Sequence, residues 1–284
     1  MKSKKKNDRA DSLKIAKLHQ AGMLPEAHLL DKEERIKRDL LIERVKLSQE
    51  IGDIKKKIIS YLKREDVYNS LPETYDNFSA SRREAILVLK WNDDRDLVLK
   101  TMMDRLEFLE KQSIPLEARI KAMCVKNHHV RVLISTVGID FYLASLLCSF
   151  IGDVNRFPSD DHLASYLGVI PVCRDTSETR RRGRMSREGP AVARWALGLA
   201  TDNVVRYNEH MHDYFEAVLR RSGSRDKARV LTMRKIVRMV YHMLKTGDNW
   251  MWENPSLTRR KIRRLIATAE KEYSSHTPVK GGDS

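Results

Sequence analysis

Hydroxyl and arginine side chains are concentrated between Cys173 and Gly189, in a stretch that reads CRDTSETRRRGRMSREG. Thr176 and Ser177 lie there among six arginines, with no histidine nearby in the sequence. Arginine pairs with phosphate oxygens, and a hydroxyl becomes a nucleophile only when its proton is removed. These residue types could serve chemistry at a phosphate. Taken alone, however, the loop favours an ordinary hydroxyl that caps a turn.

The net charge limits which partners fit the chain. Its 284 residues carry a formal net charge of +15, and 33% of them are charged. A surface this positive attracts phosphate polyanions or acidic membranes, and salt-sensitive nucleic-acid binding is the commoner reason for it. The hydrophobic content of 41% is enough for one or two domains with buried cores.

Two basic helices are predicted in the C-terminal half. The first runs from Ser224 to Lys245 and ends at Gly247 as a C-cap, with an apolar face opposite Lys227, Arg234, Arg238 and Lys245. A second basic cluster surrounds an apolar stripe and comprises Arg259, Arg260, Lys261, Arg263 and Arg264. Such stripes are usually solvated helix faces, and with this net charge a phosphate-tracking role competes with that interpretation.

A tight turn is predicted at Val137-Gly138-Ile139-Asp140, between two short apolar helices. The pattern is typical of a helix-hairpin-helix, in which turn amides and the start of the second helix hold a backbone phosphate. A packed helical pair without a ligand fits the pattern equally well. The carboxylate of Asp140 would repel a phosphate.

The cysteine usage and the hydropathy of the chain predict its compartment. Three cysteines sit in no metal-ligand spacing and leave no complete disulfide set, which is typical of a reducing cytoplasm. No apolar run is long enough to span a membrane, and no apolar segment follows the basic N-terminus. We therefore expect a cytoplasmic protein without a membrane partner.

A long helical hairpin is predicted upstream of the turn. Between Asp31 and Arg64 the apolar residues recur at coiled-coil spacing, namely Leu47, Ile51, Ile54, Ile58 and Tyr61. A later helix carries Leu99, Met102, Leu106 and Leu109 on one face, with a break or new start expected at Pro115. Two long helices joined by a loop indicate an antiparallel hairpin that serves as a spacer or a dimerisation arm.

Three segments in the C-terminal half resemble a known family. VGIDFYLASLLCSFIGDVNRF, then HLASYLGVIPV, then TSETRRRGRMSREGPAVARWAL are similar to the C-terminal domain of the insertion-sequence one-ten (one-sixteen, nine-oh-two) transposases. The likeness runs from about Leu133 to Gly247, in the same order and spacing. Upstream, a short helix is predicted from Asp8 to Gln20, ended by Gly22 and Pro25. The stretch KNDRADSLKIAKLHQAG around it resembles the last helix of that family's DEDD nuclease-like domain, and the coiled coil is similar to the one that joins its two halves.

The resemblance implies a DNA recombinase with a catalytic serine. The family serine follows a Gly-x-x-Pro turn, here Gly168 to Pro171, which identifies it with Ser177, although Glu178 replaces the family's glycine. The serine would attack a phosphodiester, with arginines neutralising charge at phosphorus and a metal assisting deprotonation. The residues expected to contact nucleic acid are Gly138, Arg174, Arg180, Arg181, Arg182, Arg184, Arg187, Lys227, Arg234 and Arg238.

The resemblance also implies a metal site of four acidic residues. Its last two ligands fall in an Asp-x-x-Asp pair, which corresponds to Asp8 and Asp11. On a helix this spacing puts both carboxylates on one side, where they could share Mg²⁺. Two ligands are too few to hold Mg²⁺ well, so we expect an incomplete site. Carboxylates favoured by the helix dipole are the alternative.

The resemblance also implies which partners the chain has and that its N-terminal domain is incomplete. Members use a structured guide RNA that pairs with donor and target DNA. A coiled-coil seam and a reaction that holds two duplexes favour a dimer or tetramer. The strands that would carry the family's first aspartate and its glutamate are missing from the sequence. We therefore expect an N-terminally truncated member with impaired activity.

The predicted fold is mainly α, without the ribonuclease-H-like sheet of the family. Its expected parts are a remnant of the nuclease-like domain at residues 1–30, a coiled-coil hairpin at 31–127, the C-terminal transposase domain at 128–250, a basic helix at 251–272 and a disordered tail at 273–284.

Three hypotheses for function remain open. In the first, the chain is a transposase that cleaves and joins DNA strands through Ser177. In the second, it is a non-catalytic module that binds nucleic acid and oligomerises. In the third, it is a decayed gene product with no present role.

Overall fold

The computed structural model describes residues 8–20, 29–176, 179–185 and 189–276. The chain divides into two compact units, Met1–Ile36 and Lys37–Ser284. The first unit contains helix α1 (Asp8–Gln20), as predicted, and the start of α2 (Lys32–Arg64). Within it, Asp31 accepts a hydrogen bond of 2.7 Å from the Glu34 backbone N–H, which satisfies one of the free amides at the start of α2.

Helices dominate the described residues, and the mainly α prediction is confirmed. The second unit continues α2 and adds α3 (Ala80–Leu87), α4 (Asp94–Lys126), α5 (His128–Ile134), α6 (Phe141–Ile151), α7 (Asp160–Tyr166), α8 (Ala191–Tyr207), α9 (Glu209–Ser222), α10 (Arg225–Thr246) and α11 (Pro255–His276). Within the residues that the structure describes, no helix is long and apolar enough to cross a membrane.

The long helices α2 and α4 pack side by side in antiparallel directions. Their shared cluster contains Leu47, Ile54, Ile58 and Tyr61 from α2 and Leu99, Met103, Leu106 and Leu109 from α4. Ion pairs flank it: Arg44 pairs with Glu117, and Lys55 pairs with Glu110 at 3.3 Å. The predicted apolar seam is therefore buried within one chain.

Two details of α4 differ from the prediction. Met103 is buried at the seam and Met102 is only half-buried, because Leu99, Met103 and Leu106 follow the four-three spacing of a helix face. Pro115 lies inside an unbroken α4. It removes one backbone hydrogen bond, but Leu109 and Ile120 are buried on either side of it and their packing holds the helix together.

The C-terminal helices share one core with α10 at its centre. Helix α10 packs against α5, α7, α8 and α9, while α11 packs against α4 and α5. The predicted apolar face of α10 is buried, including Met233, Ile236 and Val240. Ser224 caps its N-terminus and Gly247 its C-terminus, as the sequence indicated.

A β-hairpin replaces the loop expected between Cys173 and Gly189. Strand β1 (Pro171–Thr176) pairs antiparallel with β2 (Thr179–Met185), and these strands form the sheet of the described residues. The prediction of a loop was wrong. The sequence contains no sign of the two strands, because the segment lacks the apolar-polar alternation that marks a half-buried strand. A hairpin is held by backbone pairing, which an arginine-rich sequence can also provide.

The hairpin leaves and re-enters the helical domain at one point. Gly168 precedes β1 with a φ of +69°, and a Cβ there would lie 2.8 Å from the Gly189 nitrogen, just after β2. A Cβ on Gly189 would lie 2.3 Å from the Tyr166 carbonyl oxygen. Arg194 donates a hydrogen bond to the Gly189 carbonyl. The two backbone segments can approach this closely only because both Gly168 and Gly189 lack a Cβ.

The C-terminal helix is longer than predicted. Helix α11 continues to His276, so residues 273–276 are helical although the sequence placed them in a disordered tail. The first helix breaker after Pro255 is Pro278, which explains the extension. Residues 277–284 lie outside the described part of the chain.

We expect Leu106→Ala to destabilise the α2–α4 arm by about 2–5 kcal/mol, because Leu106 is fully buried and its removal leaves a cavity. Urea denaturation followed by circular dichroism measures the change. Phe108→Ala is the matched control, since Phe108 on the same helix is 59% exposed. Equal losses of stability in the two variants would contradict the seam.

We expect Gly189→Ala to lower the free energy of unfolding by about 1–3 kcal/mol, because its Cβ would overlap the backbone near Tyr166. Gly52→Ala is the control, since a Cβ on Gly52 within α2 meets no atom within 4 Å and should stabilise the helix by about 0.5–1 kcal/mol. A Gly189→Ala protein as stable as wild type would show that the hairpin base can relax.

Candidate nucleic-acid interface

The turn between α5 and α6 has the geometry that its sequence predicted. Gly138 has a φ of +83°, and a Cβ there would lie 2.8 Å from the carbonyl carbon of Asn203. The Asn203 side-chain amide donates to the Gly138 carbonyl at 3.1 Å. The turn is therefore seated directly on α8, at a distance that only glycine permits.

Asp140 has a structural partner at this turn. Its carboxylate accepts a hydrogen bond of 2.8 Å from the Leu143 backbone N–H and caps α6. The carboxylate thus satisfies an amide at the start of α6 itself. Phosphate binding by Gly138 and its neighbours stays a prediction.

The residues expected at the reaction centre map to the hairpin. Ser177 and Glu178 stand between β1 and β2 in sequence, and they lie outside the described residues, as does Arg187. The backbone register of the strands is described: Thr176 pairs with Thr179, Asp175 with Arg180, Arg174 with Arg181, and Cys173 with Arg182. The predicted phosphate ligands Arg174, Arg180, Arg181 and Arg182 therefore all lie in paired strand positions. Arg184 also lies in β2.

The basic stripe predicted on α10 is largely paired with acidic residues of α7. Arg234 donates to Asp161 at 2.6 Å, and Arg238 donates to Asp160 at 2.8 Å. The hydrogen bond from Arg234 lowers the pKa of the Asp161 carboxyl, and the bond to Asp160 raises the pKa of Arg238. A phosphate would have to compete with these carboxylates. Of the other two stripe residues, Lys227 is exposed at the start of α10, and Lys245 donates to the Asn155 side-chain oxygen at 3.0 Å.

Helix α11 presents a basic face without such acidic partners. Its exposed arginines are Arg259, Arg260, Arg263 and Arg264, and none of them forms an ion pair with another residue of the described chain. Buried Leu265 anchors the opposite face. The sequence contained a signal for this lack of ion pairs within α11. No Asp or Glu occurs between Pro255 and Ala269, so the four arginines have no acidic residue three or four positions away on the helix.

The predicted metal ligands Asp8 and Asp11 lie at the start of α1, and the structure describes their backbone only. Across the described part of the chain, no group of three or more His, Cys, Asp or Glu side chains could hold a metal ion. The described residues therefore do not fit a complete Mg²⁺ site, and Asp8 and Asp11 stay a prediction.

Two cysteines can be assigned to the core. Burial raises the pKa of the Cys124 thiol to about 11, and burial likewise raises the pKa of Cys148. Cys124 also lies 2.6 Å from the Ser145 hydroxyl. Neither sulfur is a thiolate near neutral pH, so these two residues serve packing rather than nucleophilic chemistry.

Comparison with known proteins gives consistent results for this domain. Residues 130–216 match the family model of the IS116/IS110/IS902 transposases. That segment begins in α5, contains the turn and the whole β-hairpin, and ends in α9.

Two curated relatives match a longer part of the chain. An IS110 insertion-element protein of Streptomyces coelicolor is 24% identical over 164 residues, which cover 58% of this chain and 40% of the relative. The y4qE protein of Sinorhizobium fredii, named as a transposase, is 23% identical over 197 residues, which cover 68% of this chain and 46% of the relative. The chain thus spans less than half the length of either relative. Its residues 130–216 are thus similar to the transposase domain of the IS116/IS110/IS902 family.

Proposed function

We propose that the chain is the strand-transfer part of an insertion-sequence transposase, which binds DNA and presents Ser177 as the nucleophile. The observation that carries the proposal is the arginine-rich hairpin inside the matched domain. Its two strands bracket Ser177 in sequence, and the contact between Gly168 and Gly189 fixes the point from which the hairpin leaves the helices.

The proposed reaction is a transesterification at a DNA phosphate. The Ser177 oxygen forms a bond to phosphorus while a bond from phosphorus to a deoxyribose oxygen breaks, and the serine proton goes to the departing hydroxyl. A second DNA hydroxyl then attacks the phosphoserine ester, joins the strands and restores the serine. Arginine guanidiniums stabilise the charge that develops on the phosphate oxygens. Arg174, Arg180, Arg181 and Arg182 are candidates from the strands themselves.

Substrate DNA would be held by two further features. The exposed arginines of α11 offer charge for phosphate contacts that do not depend on base sequence. The turn at Gly138 offers backbone amides next to the N-terminus of α6. Pairing with a structured guide RNA would then select the donor and target sites, as a further part of the proposal.

Mg²⁺ would lower the cost of charge at the reacting phosphate when bound. Asp8 and Asp11 would supply two of its ligands, and the others would come from protein outside the described residues. We therefore propose no step of the reaction at this metal.

A dimer or tetramer is also part of the proposal, because recombination must hold two duplexes. The apolar seam of the α2–α4 arm is buried within one chain and is used up in that packing. Contacts between copies must therefore form on another surface.

A second candidate function is nucleic-acid binding without catalysis. The observation that favours it is the exposed arginine face of α11, which can hold phosphates whether or not Ser177 reacts. The two candidates differ in one product, namely a covalent bond between protein and DNA.

We expect the purified chain to form a denaturation-resistant adduct with radiolabelled donor-junction DNA in the presence of guide RNA and Mg²⁺. Ser177→Ala should abolish the adduct, because it removes the attacking oxygen. Thr176→Ala is the matched control and should retain it, since the neighbouring hydroxyl is not the nucleophile.

Three other outcomes would change the assignment. An adduct that survives Ser177→Ala but disappears in Thr176→Ala would move the nucleophile to Thr176. Salt-dependent binding without any adduct would favour the non-catalytic module. If the chain neither binds DNA nor forms an adduct, both candidate functions are contradicted.

A further inference from the structure

One lysine of the basic helix α11 turns away from the solvent-exposed arginines around it. The Lys261 ammonium donates to three backbone carbonyls, those of Ile134 at 3.0 Å, Thr136 at 2.9 Å and Ile139 at 2.9 Å. All three belong to the end of α5 and the turn that leads into α6. The turn curls so that oxygens of residues i, i+2 and i+5 converge on one point.

No carboxylate within the described part of the chain holds this ammonium. The nearby Asp140 side chain caps α6 through the Leu143 amide, and no ion pair joins it to Lys261. Burial lowers the pKa of Lys261, while the charge of Asp140 opposes that shift. Backbone dipoles are therefore the direct partners of the positive charge.

Capping of α5 alone does not explain the arrangement. A lysine that caps a helix meets the last carbonyls of that helix, as Lys261 meets Ile134, the final residue of α5. The other two acceptors, Thr136 and Ile139, lie beyond the helix in the turn itself. Buried or half-buried carbonyls that face one another repel unless a donor or a cation lies between them.

We infer that the carbonyl oxygens of Ile134, Thr136 and Ile139 form a monovalent-cation site that the Lys261 ammonium fills in place of potassium or sodium. A ring of uncharged carbonyls suits a monovalent ion, as in potassium-selective filters, whereas Ca²⁺ and Mg²⁺ sites recruit carboxylates. An ammonium group is close to potassium in size and charge. The built-in cation fixes the turn around Gly138 without any need for salt.

The site makes a specific prediction for two truncations of Lys261. Lys261→Ala removes the ammonium and leaves room for an ion, so its thermal unfolding midpoint should be higher in potassium or sodium chloride than in choline chloride at equal ionic strength. The midpoint should rise with the concentration of the small cation, because binding to the folded state stabilises it by mass action. Lys261→Met fills the same space without charge, so the thermal unfolding midpoint of this variant should be low in all three salts.

Lys245→Ala is the matched control. Lys245 donates to a side-chain oxygen of Asn155 at 3.0 Å, on the exposed face of α10, and no carbonyl ring of the described residues surrounds it. Its removal should give the same midpoint in potassium, sodium and choline chloride, as should the wild-type protein.

Two results would overturn the inference. One is a Lys261→Ala protein with equal midpoints in the three salts, and the other is a Lys261→Ala protein as stable as wild type in choline chloride. If Lys261→Ala does not fold in choline chloride, the fraction that refolds from denaturant in each salt becomes the measurement. A refolded fraction that does not depend on the cation would then contradict the site.

Discussion

The turn at residues 135–140 is the constraint on which the C-terminal domain depends, because it brings polar backbone groups into a packed interior. Each needs a partner, and the partners come from distant parts of the chain. Asn203 of α8 binds the Gly138 carbonyl, the Trp250 backbone N–H donates to the Ser135 hydroxyl at 2.8 Å, and Lys261 of α11 closes the carbonyl ring. One turn therefore ties α5 and α6 to α8, to the segment after α10 and to α11.

The basic side chains of α10 and α11 differ in whether they form ion pairs within the chain. On α10, Arg234 and Arg238 bind the acidic first turn of α7, so their charge holds that short helix in place. Helix α7 in turn leads to Gly168 and the base of the hairpin. On α11 the exposed arginines form no ion pair with any residue that the structure describes, and Lys261 serves the interior. The same kind of charge thus stabilises the fold on one helix and stays available for phosphate on the other.

Periodicity predicted the helices well, because an amphipathic face needs only local sequence. The bounds of α1 and α10 and the tight turn at Gly138 followed from spacing and from cap residues. The hairpin was missed because its pairing leaves no apolar alternation. The ion pairs of Arg234 and Arg238 were also invisible, since their partners lie more than 70 residues away in sequence. Ser177 is a candidate nucleophile through the family resemblance alone and not through any local pattern.

The salt dependence of binding to duplex DNA tests whether the exposed arginines of α11 bind phosphate. Fluorescence anisotropy gives the slope of log affinity against log salt concentration, whose magnitude falls by about 0.9 for each phosphate that the protein no longer neutralises. Arg259→Ala combined with Arg263→Ala should reduce the slope by about 2. Arg234→Ala, in the ion pair with Asp161, should leave it unchanged. A slope that falls with Arg234→Ala and not with the α11 pair would contradict the account.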